Sequence, residues 1–276
     1  MEYIEINFEV SPLQPHVDIL IAELGYLGFE SFVETEQGVT AYIQKPDYKD
    51  CLLDEINILK SSEVQISYSI KTIAQTNWNE EWEKSFEPIE IGGKCHVRAP
   101  FHEQKPCDYD LVIEPKMSFG TGHHETTHMM LQFILDHDFK NKAVLDMGCG
   151  TGVLAILASK KGAFCVDAID IDNWCYENSM ENVNRNKCNN INVQEGDASL
   201  LIHQKYDCIL ANINRNILIN DLSTYVSCLN NRGSLFLSGF YNVDIPIIEA
   251  ACNALNLKLQ AKQEQKNWVA LKFVNS

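Results

Sequence analysis

The alternation of hydrophobic and polar positions changes rhythm along the chain. Residues 2–10 alternate apolar with polar, which predicts a strand. Ser11 and Pro12 then look like a helix start, with Ser11 as the cap and Pro12 in the first turn. Val17, Leu20, Ile21, Leu24 and Leu27 follow at helical spacing, and Gly28 ends the run. "SFVETEQGVTAYIQK" predicts a hairpin turning near Glu36-Gln37-Gly38. "PDYKDCLLDEINILK" predicts a second helix, and "EVQISYSIKTI" a further strand. The order β-α-β-β-α-β describes a small α+β, ferredoxin-like unit over residues 1–73.

Residues 74–95 predict a linker. Trp78, Trp82 and Phe86 recur at every fourth position, as on one face of a helix, and "IGGKCHVRAPF" reads as strand and turn. Residues 96–276 form the second expected domain. From about Phe119 helix and strand alternate, and the strands are continuously apolar, as in "KAVLDMGC" and "YDCILANIN". That rhythm predicts an α/β domain, with seven strands in a mostly parallel sheet covered on both faces. The two closing strands, separated by "EQKN", predict one antiparallel edge.

In such sheets ligands bind beyond the carboxyl ends of the strands, and those ends carry the informative residues. The first strand of the α/β part ends in "LDMGCGTG", which supplies Asp146, Gly148, Gly150 and Gly152. This differs from the dinucleotide fingerprint, because the third glycine falls one residue early and Val153 stands in its place. The carboxylate of Asp146 suits a positively charged amino group better than a pyrophosphate. The second strand ends in "AIDID", where Asp170 can accept hydrogen bonds from ribose hydroxyls. The third ends in "GD", where Asp197 can reach a base amino group. Each feature alone has a plain reading, a tight turn or a helix cap. Together an amino group, a ribose and a base amine describe S-adenosyl-L-methionine, and so a class I, Rossmann-like methyltransferase domain.

"FGTGHHETT", "VLDMGCGTGVLAI", "AIDID" and "LANI", with "WEKSFEPIEIG" upstream, resemble the PrmA family, the methyltransferases of ribosomal protein L11. The resemblance runs from about residue 78 to the end. It implies a ferredoxin-like substrate-recognition domain, a linker and a methyltransferase domain. It implies transfer from S-adenosyl-L-methionine to lysine ε-amines and the N-terminal α-amine of L11, with no direct need for nucleic acid. Carried over by position, the family's cofactor contacts fall on Thr127, Gly148, Asp170 and Asn212. Asn212 ends the fourth strand, where related N-methyltransferases set an amide against the amine, and Phe119 can wall off the methyl site. The plain readings are a helix cap for Asn212 and core packing for Phe119. Tyr241 and Trp174 read as structural. The chain departs from many members in "GTGHHETT" for "GTGTHPTT" and in "NINRNIL" for "NILAGPL".

Composition narrows the setting. The net charge of −16 argues against non-specific binding to bare nucleic acid. Residues 1–75 hold 13 Asp/Glu and 4 Lys/Arg, a balance of −9. Such a face is either simply solvated or a docking surface for a basic protein. No apolar run reaches the roughly 18 residues of a membrane span, and the first residues lack the pattern of a secretion signal. The ten scattered cysteines, without a C-x-x-C pair, read as reduced thiols. A cytoplasmic monomer is expected.

One stretch competes with this reading. His124-Glu125-Thr126-Thr127-His128 spells H-E-x-x-H, a zinc-protease signature when it lies on a helix. A protease would need a third ligand, whereas the methyltransferase reading also uses Phe119, Gly120 and Gly122 ahead of it, so no metal is expected. The residues themselves are also compatible with a class I N-methyltransferase for a different protein or a small amine, and with a non-catalytic binder of the cofactor.

Overall fold

The computed structural model describes residues 3–73, 87–114, 116 and 118–275. Residues 74–86 of the expected linker, with Trp78, Trp82 and Phe86, lie outside the described residues. The chain divides into two compact units, Met1–Ser85 and Phe86–Ser276.

In the first unit β1 (Tyr3–Ser11), β2 (Ser31–Thr35), β3 (Gly38–Gln44) and β4 (Gln65–Ile73) form an antiparallel sheet in the order β2-β3-β1-β4. The period of two places Ile4, Ile6, Phe8 and Val10 on one face, where they pack with Val17, Leu20 and Leu24 of α1 (His16–Tyr26). Two local expectations fail. Ser11 is not a helix cap, because the ladder to β4 continues through the Ser11–Gln65 pair, and α1 begins only after Pro15. The second helix is reduced to two short 3₁₀ turns, Asp50–Glu55 and Ile58–Lys60. The Glu23 carboxylate accepts from the backbone amides of Asn57 at 2.7 Å and Ile58 at 3.2 Å, which draws them away from an α-helical ladder.

The second unit opens with a small sheet of β5 (Ile89–Ile91), β6 (Cys95–Arg98) and β7 (Tyr109–Val112). Its main sheet has seven strands in the order β10-β9-β8-β11-β12-β14-β13. These are β8 (Ala143–Met147), β9 (Cys165–Asp170), β10 (Ile191–Glu195), β11 (Tyr206–Asn212), β12 (Leu229–Tyr241), β13 (Leu257–Gln265) and β14 (Trp268–Asn275). Successive residues on a strand serve opposite cores. Val144, Cys208 and Phe236 pack with α2 (Glu125–Asp136) and α3 (Val153–Lys160), alongside α4 (Asn173–Arg185). Leu145, Ile209 and Leu235 pack with α5 (Arg215–Cys228) and α6 (Ile245–Ala254). Both faces are therefore dry, which is why these strands read as unbroken apolar runs. Among the described residues no helix is long and apolar enough to cross a membrane.

The expected antiparallel edge is there, formed by the two closing strands. β14 is antiparallel to both neighbours, but it lies inside, and β13 forms the edge. The reason is apolarity. Val269, Ala270, Leu271 and Phe273 of β14 are buried, whereas β13 after Leu257 is mostly exposed. Lys266 and Asn267, both at positive φ, make the tight turn that folds β14 back.

Candidate active site

The strand order reverses between β8 and β11, so the carboxyl ends of β8, β9, β10 and β11 open onto one crevice. A cleft of about 460 Å³ lies there. It gathers Phe119, Gly148, Gly150, Asp170, Asp197 and Asn212, six of the residues singled out from sequence.

The floor is the turn from β8 into α3. Gly148 has φ +69°, and a Cβ on it would stand 2.1 Å from a methyl of Ile213. Gly150 has φ +56°, and a Cβ there would stand 2.2 Å from the Phe119 carbonyl oxygen. Both positions thus require glycine, for handedness and for space. The close approach at Gly150 reflects docking of the FGTG loop onto this turn. Thr151 N donates to Phe119 O at 2.9 Å, and Thr151 Oγ1 donates to Gly120 O at 2.6 Å. The two motifs are one structural piece, and its loop carbonyls are already in use.

Asp170 braces the turn from the side. Its Oδ2 accepts from Gly150 N at 2.8 Å and its Oδ1 from Asp172 N at 3.1 Å. A carboxylate has about four lone-pair sites, so acceptor capacity remains for a ligand. Asp197 caps the short turn Ala198–Leu201 by accepting from Ser199 N at 2.8 Å; the Ser199 hydroxyl, and then this amide, hold its carboxyl below the usual range. Its cap role and its place on the cleft coexist.

Asp146 is placed differently. It is 1% exposed, does not line the cleft, and accepts from Ala155 N at the start of α3 at 3.0 Å. Burial pushes its carboxyl up to about 7, against the pull of the Ala155 amide, with the Asp170 charge adding to the rise. In this structure it supports the turn from below.

At the far end, Asn212 Nδ2 donates to Thr127 Oγ1 at 3.3 Å. Thr127 is buried in the first turn of α2 and reaches the cleft only through Asn212. Asn212 Oδ1 is buried and, among the described residues, has no hydrogen-bond partner. The cap of α5 is the side chain of Asn214, which accepts from Ile217 N, so Asn212 is not a helix cap.

Sequence reasoning missed the apolar wall. Trp174, expected to be structural, lines the cleft beside Ile171, and both are more than half exposed. A tryptophan four residues after the strand-ending Asp170 was the available signal. Tyr241 instead stacks on Trp268, with centroids 4.0 Å apart. Two of the H-E-x-x-H side chains are occupied with other tasks. His124 caps α2 through Nδ1, which accepts from Thr126 N, and Glu125 pairs with Lys266 at 2.9 Å. Among the described residues, neither group of His, Cys, Asp and Glu close enough to share an ion contains His124 or His128.

Comparison with known proteins places this geometry. The family model of ribosomal protein L11 methyltransferase (PrmA) matches residues 16–276. The chain belongs to the ribosomal protein L11 methyltransferase family. A family member from Phocaeicola vulgatus is 46% identical over 279 residues, 99% of each chain. One from Porphyromonas gingivalis is 47% identical over 285 residues, covering 99% of this chain and 98% of that one. Among solved structures, a ribosomal protein L11 methylase of Lactobacillus delbrueckii subsp. bulgaricus superposes with a TM-score of 0.65 at 27% identity. That match covers 69% of this chain and all of the other.

Proposed function

We propose that this protein transfers methyl groups from S-adenosyl-L-methionine to amines of ribosomal protein L11, namely lysine ε-amines and the N-terminal α-amine. The observation that carries the reading is Asn212. A buried amide oxygen without a partner is uncommon. This one sits where the cleft meets the end of β11, with its own NH₂ tied to Thr127. It suits an amine N–H, whose lone pair would then be free to face the methyl carbon.

The cofactor reading rests on fit. Gly148 and Gly150 leave room against the backbone, Asp170 offers spare acceptor capacity for ribose hydroxyls, and Asp197 suits a base amine. Ile171 and Trp174 suit the faces of an adenine ring. Phe119 would close the methyl site. The sulfonium supplies an activated methyl group, and the residues here orient the reactants rather than bond to them. We place the work in the cytoplasm, by a monomer whose residues 1–73 recognise the protein target.

The test is transfer of labelled methyl to purified L11. Asn212→Ala should lower kcat by about 10²-fold, in line with loss of one preorganised polar group, measured at saturating cofactor because Asn212 is also an expected cofactor contact. Unlabelled L11 with the wild-type protein would defeat the reading.

A further inference from the structure

The cleft has a smaller neighbour of different chemistry. Phe119, Asn212, Ile213 and Asn214 also line a chamber of about 220 Å³, completed by His124, Thr126 and Trp268. The His124 ring meets Phe119 and Trp268 edge-on, at centroid distances of 5.1 and 4.7 Å. Its Nδ1 lies 2.8 Å from Thr126 Oγ1 and accepts from Thr126 N at 3.2 Å, so the ring is tied to the first turn of α2.

The two cavities differ in charge. Asp170, Asp172, Asp197 and Asp221 line the cleft, whereas no Asp, Glu, Lys or Arg among the described residues lines the chamber. Two of the charged groups on the elements around it are paired. On α2 Glu125 pairs with Lys266 of the β13–β14 turn at 2.9 Å, and on α5 Arg215 pairs with Asp244 at 2.6 Å. Other titratable side chains on these elements include His128, one turn along α2, Tyr241 at the end of β12, and Asp221 and Tyr225 of α5; Asp221 faces the cleft and accepts from Asn220 and Tyr225.

We infer that this chamber receives the acceptor as its uncharged alkylamine and strips its proton by desolvation, without a protein base. The inference rests on the methyl-transfer function proposed above. A lysine ammonium has pKa about 10.4 in water, and burial without a counter-charge disfavours the charged form. The proton passes to water as the side chain enters. Asn212 Oδ1 then accepts from the neutral amine. The nitrogen lone pair forms the new N–C bond while the S–C bond breaks, its electrons staying on sulfur as a neutral thioether. The N-methylammonium product loses a proton to water before it can react again. Aromatic walls without fixed charge have room for added methyl groups, which suits repeated transfer to one nitrogen.

Asn214 allows a clean test, because it caps α5 and aspartate and serine both cap helices well. The readout is the single-turnover methylation rate against pH, with L11 and S-adenosyl-L-methionine saturating, since rates of the bound complex report pKa values within it. In the wild type the rate should reach its plateau well below pH 10. Asn214→Asp should move that rise upward by about one to two units, the effect of a charge some 6 Å away at an effective dielectric of 20. The rate near pH 7 would then fall by about 10- to 100-fold. Asn214→Ser should leave the rise in place. Calorimetry on each variant separates any effect on cofactor binding. Should Asn214→Asp misfold, Trp268→Glu against Trp268→Leu makes the same comparison. A wild-type rise at the free-lysine pKa, or a carboxylate that shifts nothing while transfer persists, overturns the inference alone. A wild type that methylates no amine overturns the functional reading and this inference together.

Discussion

Residues 1–75 carry a net charge of −9, whereas the other 201 carry −7, from 25 acidic and 18 basic residues. The two parts also use acid differently. In the second unit the carboxylates at the cleft are few and placed: Asp170 braces a glycine turn and Asp197 caps a helical turn. In the first, side chains such as Glu5, Glu9, Glu34 and Glu36 belong to a sheet and hairpin, and several are exposed. Placed carboxylates suit a small, fixed ligand. Spread charge suits a basic macromolecule met in more than one orientation, because it steers without demanding a single geometry. The contrast fits the proposed function, with chemistry in the second unit and recognition in the first.

The strongest way to break that assignment is deletion of residues 1–73. The second unit has its own cores on both faces of its sheet, and all the residues proposed to hold the cofactor belong to it. The truncated protein should therefore fold and bind S-adenosyl-L-methionine with near-normal affinity. Transfer to L11 should fall by at least about 10²-fold in kcat/KM, since remote contacts with the target orient the reacting amine. A truncated protein as active on L11 as the full chain would remove recognition from the first unit.

A smaller effect sharpens the other half of the comparison. Gly148→Val brings a branched side chain into Ile213 and forces a left-handed φ on a β-branched residue. Backbone strain of this kind costs on the order of 1–3 kcal/mol, so cofactor affinity should drop by roughly tenfold or more. Asp170→Ala, which frees the amides of Gly150 and Asp172, should weaken binding by a comparable margin of about 1.5–3 kcal/mol. Calorimetric affinities unchanged in both variants would take the cleft out of the site.

What the sequence reveals follows the same division. The second unit was legible because its strands are buried on both faces and its chemistry lies at strand ends, where glycine and aspartate stand out. The first was legible in strand order but not in detail. Nothing in "PDYKDCLLDEINILK" says that Glu23, thirty-four residues before Asn57, takes the amides an α-helix there would need. Within the cleft, the residues read from sequence were those whose role is local, such as Gly148 and Asp170. Asp146 reads as a partner for an amino group because a carboxylate beside a glycine turn looks available. Its burial beneath α3 depends on packing that a linear pattern does not encode. Trp174 and the chamber residue Trp268 escape notice for the converse reason: a lone tryptophan reads as core until its exposure is known.

The mildest test concerns salt. If spread acid in the first unit attracts a basic target, screening should weaken that attraction. Surface charges act over about 10 Å at 0.1 M salt and about 3 Å at 1 M. Raising ionic strength over this range should raise KM for L11 several-fold, mainly by slowing encounter. The contacts of Asp170 are short and partly buried, so cofactor affinity should change much less. The truncated protein supplies the control, because whatever transfer it retains should have lost most of this salt dependence. A KM that ignores salt in the full chain would mean that the −9 of residues 1–75 is only a solvated surface, with docking carried by apolar contacts instead.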